Sequence, residues 1–197
     1  MKRIELKFLT ENNSLIKNNI ELFKLYPSRI INNFYFDTNN LDYHILSEEG
    51  ITPRLKVRLR SYNNSNNMNL EIKYTFSHAR DKVSIKNFEY SKKNLFFALK
   101  ENEIFDILRP TVKVSYKRKY FKCNYGRLTY DSNINYQKIN SELFPISTKY
   151  YEFNNVIELK TNNLNLDKKS IFNFINISES RNSKYCNAIE KVYFQTN

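Results

Sequence analysis

Three short segments of this chain write a glutamate, one aliphatic residue and a lysine: Glu5-Leu6-Lys7, Glu71-Ile72-Lys73 and Glu158-Leu159-Lys160. A fourth, Arg54-Leu55-Lys56-Val57-Arg58-Leu59-Arg60, carries four cations at alternating positions. Side chains alternate faces along a β-strand, so each segment reads as a strand with one ionic face and one aliphatic face. An ordinary antiparallel sheet would turn such a face to water. Recurrence in strands far apart in sequence points instead to an interior lined with charge. In such an interior Lys and Arg hold a chain of phosphates, and carboxylates hold the divalent metal that travels with it.

The remaining composition sets bounds. The 197 residues, 41% of them hydrophobic, are enough for a sizeable core and are expected to form a single domain over 1–197. Lys and Arg total 32 against 20 Asp and Glu, a formal charge of +12 that suits an anionic partner. Cys123 and Cys186 have no paired metal-ligand spacing and are too few for a disulfide scaffold, so a reducing compartment is expected. His44 and His78 are isolated, with no second His or Cys at metal spacing, and read as structural or surface residues. The N-terminal Met1-Lys2-Arg3-Ile4-Glu5-Leu6-Lys7 lacks the apolar stretch of a secretion signal. A soluble cytoplasmic protein is expected, with a separate membrane-protein partner as its route to the inner face of a membrane. The many Tyr and Phe fit cores and strand pairs, and no nucleic-acid motif accompanies them.

Periodicity outlines the elements. A strand from Lys2 to Leu9 is followed by helical spacing over Leu15, Ile16, Ile20, Leu22, Phe23 and Leu25, stopped by Pro27. Strands are expected over Arg29 to Asp37, from Pro53 through Arg60, over Asn69 to Phe76 and over Arg80 to Tyr90, with a helical turn through Leu41, Tyr43, Ile45 and Leu46. Leu95, Phe96, Leu99, Ile104, Phe105 and Leu108 support one helix closed by Pro110. Two strands follow, Thr111 to Phe121 and Tyr125 to Asp131, then an irregular stretch over Asn133 to Glu152, a strand over Phe153 to Thr161, and helices over Leu166 to Ile175 and Ser183 to Tyr193. The sum is an α+β chain, mainly antiparallel β, with about eight strands and peripheral helices. Eight strands suffice to close a tunnel barrel with the charges inside.

Beyond the alternating segments, further motifs succeed one another in order. Arg3-x-Glu5-x-Lys7, Phe36-Asp37-Thr38, Arg58-Leu59-Arg60, Glu71-Ile72-Lys73, Tyr116-x-Arg118, Arg127-x-Thr129-x-Asp131, Ile157-Glu158-Leu159-Lys160 and Ser183-Lys184-Tyr185 span nearly the whole chain. Together they resemble the polyphosphate polymerase domain of the vacuolar transporter chaperone complex, the VTC domain, of the triphosphate tunnel metalloenzyme (CYTH-like) superfamily. The resemblance implies an eight-stranded closed tunnel that uses Mn²⁺ or Mg²⁺ and transfers the ATP γ-phosphate onto inorganic polyphosphate. Carried over by position, it implies phosphate-binding roles for Lys7, Arg58, Arg60, Lys73, Arg118, Arg127 and Lys184, and a metal-binding role for Glu158. Lys160 is a further phosphate candidate, and Glu5 and Glu71 are secondary metal candidates. Arg3 stands where hydrolysing tunnel enzymes often carry the first of two glutamates, which favours the polymerase branch.

Phosphoryl transfer asks a protein chiefly for alignment and charge neutralisation, so clustered Arg and Lys with a metal suffice without a protein nucleophile. Two other readings stay open on the residues: a tripolyphosphatase or nucleoside triphosphatase of the same fold, and a non-catalytic polyphosphate-binding module. Lys113, Lys117, Lys119 and Lys122 are expected outside the site, and Cys123 and Cys186 are not expected to act as nucleophiles.

Overall fold

The computed structural model describes residues 4–11, 23–63, 65–76, 80–163 and 179–195. In chain order these form β1 (Ile4–Thr10), β2 (Phe23–Asp37), α1 (Asp42–Glu49), β3 (Arg54–Tyr62), β4 (Asn69–Thr75), β5 (Arg80–Ile85), α2 (Lys92–Lys100), β6 (Arg109–Cys123), β7 (Gly126–Lys138), β8 (Tyr150–Tyr151), β9 (Asn155–Thr161) and α3 (Lys184–Ile189). A π-helical turn, Glu190–Phe194, continues α3. The chain divides into two compact units, each gathered from separated segments. The first comprises Met1–Ile30, Tyr116–Ile134 and Tyr151–Ser183, and the second Ile31–Ser115, Asn135–Tyr150 and Lys184–Asn197.

In the first unit the strand order is β1-β9-β7-β6, with Leu6 opposite Leu159, Lys7 opposite Glu158, and Leu128 opposite Leu159. The aliphatic face closes on itself as Leu6, Phe8, Cys123, Leu128, Tyr130, Ile157 and Leu159. Sliding β9 by one residue would drive Glu158 and Lys160 into that cluster, so the alternating sequence sets the register.

In the second unit the order is β6-β2-β3-β4-β5, with Val57 opposite both Phe36 and Ile72. Phe34, Phe36, Val57, Leu59, Leu70 and Ile72 form its aliphatic face, which Tyr43 of α1 and Leu95, Ala98 and Leu99 of α2 cover. Each fully buried side chain of this size contributes about 1.5–3 kcal/mol. The ionic face is left to the opposite side of the same strands.

Asp37 anchors the entry to α1. Its Oδ1 accepts from Thr38 N at 2.7 Å and Tyr43 N at 3.0 Å, and its Oδ2 from His44 N at 3.0 Å and from the Tyr185 hydroxyl. One carboxylate thereby satisfies backbone donors that the first turn of a helix leaves without intrahelical partners, and it ties α1 to α3. Burial pushes the Asp37 pKa above its ordinary value, against the pull of the Tyr185 hydroxyl and these N–H groups.

Several expectations need correcting. Neither ladder is closed among the described residues: β9 is the one strand that pairs with β1, which adds an isolated bridge from Phe8 to Glu179, β5 pairs only with β4, and nine strands are present rather than about eight. Phe23 and Leu25 lie in β2, not in a helix, and β2 runs straight through Pro27 because residues 23–30 are an exposed stretch where a missing N–H is tolerated. The helix expected through Leu108 ends at Lys100, where the chain turns over Glu101–Glu103 with Glu103 at φ 60°. Pro110 sits inside β6 rather than closing a helix. Strand β5 stops at Ile85, and β7 runs on to Lys138 through what read as irregular chain. Helices over Leu15 to Leu22 and Leu166 to Ile175, and the position of His78, lie outside the described residues.

Candidate functional site

In the second unit the ionic face runs over four strands. Tyr35 pairs with Arg58 and Asn33 with Arg60 across β2 and β3. Arg58 pairs with Glu71, which pairs in turn with Ser84 of β5. The Arg58 guanidinium forks onto Glu71 Oε2 through Nε at 2.8 Å and Nη2 at 2.5 Å, while Nη1 donates to the Tyr35 hydroxyl at 3.0 Å. Lys82 Nζ donates to Glu71 Oε1 at 2.7 Å, and Arg60 Nη1 lies 3.7 Å from Oε2. The Arg58 and Glu71 side chains are only 11% and 5% exposed, so this is no solvated surface pair.

Next to it Lys56, Lys73 and Lys82 stand in register across β3, β4 and β5. Like charges opposite one another destabilise a sheet, and five cations, Lys56, Arg58, Arg60, Lys73 and Lys82, share this face with Glu71. A polyanion is what such an arrangement can hold. Lys73 is exposed at its edge. Tyr185 of α3 stacks on Tyr35 at 4.9 Å between centroids, with Lys56 Nζ 5.9 Å above its ring, so Lys184 enters the second unit beside this face.

The first unit's ionic face has a different make-up. Arg118 forks onto Asp131, Nε to Oδ1 at 2.5 Å and Nη2 to Oδ2 at 2.7 Å, with Nη2 also 3.8 Å from Glu158 Oε2. Lys160 Nζ pairs with Glu158 Oε1 and lies 3.6 Å from Glu5 Oε2. Arg118 and Glu158 are again withdrawn, their side chains 13% and 9% exposed. Lys7 donates to the Asn182 carbonyl at 2.6 Å. Arg127 sits opposite Lys160 at the exposed start of β7. Gly126 is required beside it: at φ 139° its Cβ position would fall 2.4 Å from the Lys160 carbonyl oxygen, so a side chain would push β9 and its Lys160 away.

A divalent metal of the Mn²⁺ or Mg²⁺ kind takes oxygen ligands, and the donor set suits it. Glu5 and Glu158 offer carboxylates from neighbouring strands. Glu158 Oε1 is buried, with the Lys160 ammonium as its ion-pair partner. Glu71 differs, because Arg58, Arg60 and Lys82 already surround both of its oxygens.

Burial alone would raise the pKa of both central carboxyls. At Glu71 the charges of Arg58 and Arg60, with the hydrogen bond from Lys82, more than reverse this, and at Glu158 those of Lys160 and Arg118 do. Both carboxyls are held far below the ordinary 4.5. A depressed native pKa contributes stability that is present above the unfolded value and lost as pH falls toward the folded one. The denaturant midpoint is therefore expected to drop as pH goes from about 5 to about 2, with Glu71→Gln removing part of the slope. Asp37, with its raised pKa, works in the opposite direction and dampens the fall.

Of the residues expected from sequence, Arg58, Arg60, Glu71 and Lys73 share one face of the second unit, and Glu5, Lys7, Arg118, Arg127, Glu158 and Lys160 belong to the first. Lys56, from the alternating cation run, and Asp131, from the motif after Arg127, had been given no role of their own, and Lys82 and Tyr35 were not among the expected site residues. Lys56 and Lys82 carried a usable signal, since each continues its strand's basic alternation. Lys117, Lys119 and Lys122 are exposed and Lys113 is half-buried.

Fold and site together define a class of protein, an antiparallel sheet whose strands set an ionic face against an apolar one. The VTC domain model matches residues 3–106 and 91–193, and the chain belongs to that family. Among solved structures, a candidate adenylate cyclase of Bacillus halodurans aligns over 99% of this chain and 100% of its own, with 14% identity and a TM-score of 0.59. A candidate adenylyl cyclase of Hippeastrum, described as revealing a dominant triphosphatase activity, aligns over 98% of both chains with 14% identity and a TM-score of 0.58. The PH1819 protein of Pyrococcus horikoshii aligns over 96% of this chain and 99% of its own, with 17% identity and a TM-score of 0.55. No curated protein matches the sequence. Among the described residues no helix is long and apolar enough to cross a membrane.

Proposed function

We propose that this chain is a metal-dependent polyphosphate polymerase that transfers the γ-phosphate of ATP onto a growing inorganic polyphosphate chain in the family's tunnel. The observation that carries the reading is the withdrawal from solvent of an ionic cluster on each face, Arg58 with Glu71 on the cation-rich one and Arg118 with Asp131 and Glu158 on the other. Arg58, Arg60, Lys73 and Lys184, joined by Lys56 and Lys82, neutralise and align phosphates, as do Lys7, Arg118, Arg127 and Lys160. Glu158 holds the metal with Glu5 beside it, and Glu71 orients Arg58 rather than binding metal. When bound, Mn²⁺ or Mg²⁺ supplies charge neutralisation and a template for the phosphate oxygens.

The terminal oxygen of the polyphosphate attacks the γ-phosphorus, the bond from that phosphorus to the β,γ-bridging oxygen breaks, and ADP leaves with the bridging oxygen. The cations hold donor and acceptor in line and offset charge on the transferred group. The proposal sets the protein in the cytoplasm, acting with a separate membrane-protein partner.

Incubation with ATP and Mn²⁺ or Mg²⁺, followed by separation of products by size, tests it. A ladder of long phosphate polymers is the expected result. Orthophosphate without polymer would make the chain a triphosphatase, and unchanged ATP with tight polyphosphate binding would make it a binding module. Either result overturns the proposal.

A further inference from the structure

We propose a second metal site, unrelated to the phosphate chemistry, in which His44, Glu48 and Cys186 bind a borderline-soft divalent cation of the zinc type. His44 and Glu48 lie four residues apart on one face of α1, and Cys186 lies on α3, all in the second unit. One ligand atom from each residue lies within 4.8 Å of the other two. Tetrahedral zinc with Zn–N, Zn–O and Zn–S bonds of roughly 2.0–2.3 Å needs ligand atoms about 3.5 Å apart, so loading asks for a contraction of little more than about 1 Å.

The histidine ring points to a ligand independently of that spacing. His44 is 4% exposed and its Nδ1 is sealed from solvent without a hydrogen-bond partner. A buried polar nitrogen left unsatisfied costs about 1–3 kcal/mol and calls for an explanation. The other ring nitrogen, Nε2, lies 3.1 Å from Glu190 Oε1. Metal-binding histidines commonly give their second nitrogen to a carboxylate, which fixes the ring and its tautomer.

The ring cannot easily turn away. Asp37 holds the His44 backbone, Phe194 stacks on the ring at 6.0 Å, and Tyr185 meets it edge-on at 6.3 Å. Cys186 is buried and outside any disulfide, whereas Glu48 is exposed and opens the site to solution.

One nitrogen, one sulfur and one carboxylate oxygen suit Zn²⁺ or Co²⁺ and suit Mg²⁺ or Mn²⁺ poorly, because sulfur is a soft ligand. Three protein ligands leave a fourth position for water. A bound ion would pin α3 to α1, and α3 carries Lys184 and Tyr185.

The experiment uses the full chain, stripped with a chelator, then titrated with Zn²⁺ by calorimetry and with Co²⁺ by absorption. One equivalent per chain and a thiolate-to-cobalt charge-transfer band are expected. Cys186→Ser should abolish the band and weaken Zn²⁺ binding by about 100-fold or more. Glu190→Gln should weaken it by about 10–100-fold while the band persists, as for a residue that orients a ligand. Glu48→Gln alters an exposed side chain and keeps the fold, so it remains decisive if a buried variant fails to fold; a loss of about 10-fold is expected. No uptake, a Co²⁺ complex without the thiolate band, or Zn²⁺ affinity unchanged in Glu48→Gln would overturn the proposal. So would affinity lost in Glu158→Gln and kept in Glu48→Gln, which would trace the ion to the other carboxylate. None of these outcomes depends on polymer synthesis.

Discussion

Glu158→Gln is expected to lower the rate of phosphate transfer by about 100- to 1,000-fold, the size of effect seen when one preorganised electrostatic group is removed from a reacting centre. Polyphosphate binding should survive and even tighten. The glutamine keeps the shape of the side chain but removes a negative charge from among Lys160 and Arg118, whose Coulombic pull keeps the carboxyl ionised. A basic face short of one carboxylate attracts a polyanion more strongly, while the group proposed to anchor the metal is gone. The two effects part in opposite directions, so turnover with saturating ATP and a separate polyphosphate binding isotherm distinguish them. Normal turnover in this variant would remove Glu158 from the metal site. Loss of turnover and binding together would indicate collapse of the Arg118–Asp131–Glu158–Lys160 cluster instead, because a buried cation left without its partner costs about 3–5 kcal/mol. A melting profile separates that case.

The strands that matter most were legible because alternation carries register. Once Leu159 and Leu6 must share a core, Glu158 and Lys7 must share the other face, and they do. Likewise, with Val57 and Ile72 paired on the apolar face, Arg58 and Glu71 fall together on the other. Alternation says nothing, however, about where a ladder stops, so closure into a barrel went beyond what the pattern held.

Apolar residues misled wherever they face solvent. Phe105 is 72% exposed beside the buried Ile104, so the helix it helped to suggest had no continuous apolar face there. Phe23 and Leu25, also exposed, imitated helical spacing from within a strand.

Partners brought together by long-range packing were out of reach as well. Cys186 lies 142 positions from His44, and what joins them is the packing of α1 against α3. The one local clue was the four-residue spacing of His44 and Glu48. Asp37 was noticed as part of a motif, but its work at the start of α1 shows only in the hydrogen bonds it accepts.

Arg58→Lys keeps the charge and is nonetheless expected to weaken binding of the phosphate chain by about 10- to 100-fold, the worth of one charge-assisted bidentate contact at about 1.5–3 kcal/mol. A lysine offers a point charge where the guanidinium presents a planar fork, and here each arm has a use: Nε and Nη2 grip Glu71, and Nη1 meets the Tyr35 hydroxyl. Tyr35 supplies a readout that needs no substrate. Burial alone would raise its pKa, yet Arg58 and Arg60 overcome burial and hold it below the ordinary 10.0. Arg58→Ala should therefore move the Tyr35 titration upward, with Arg58→Lys between the two. Tyrosinate absorbance, with Tyr35→Phe to identify the transition, checks this. If Tyr35 titrates unchanged in Arg58→Ala, the guanidinium does not govern the electrostatics of this face. The phosphate role assigned to Arg58 would then lose its structural basis, whatever happens to turnover.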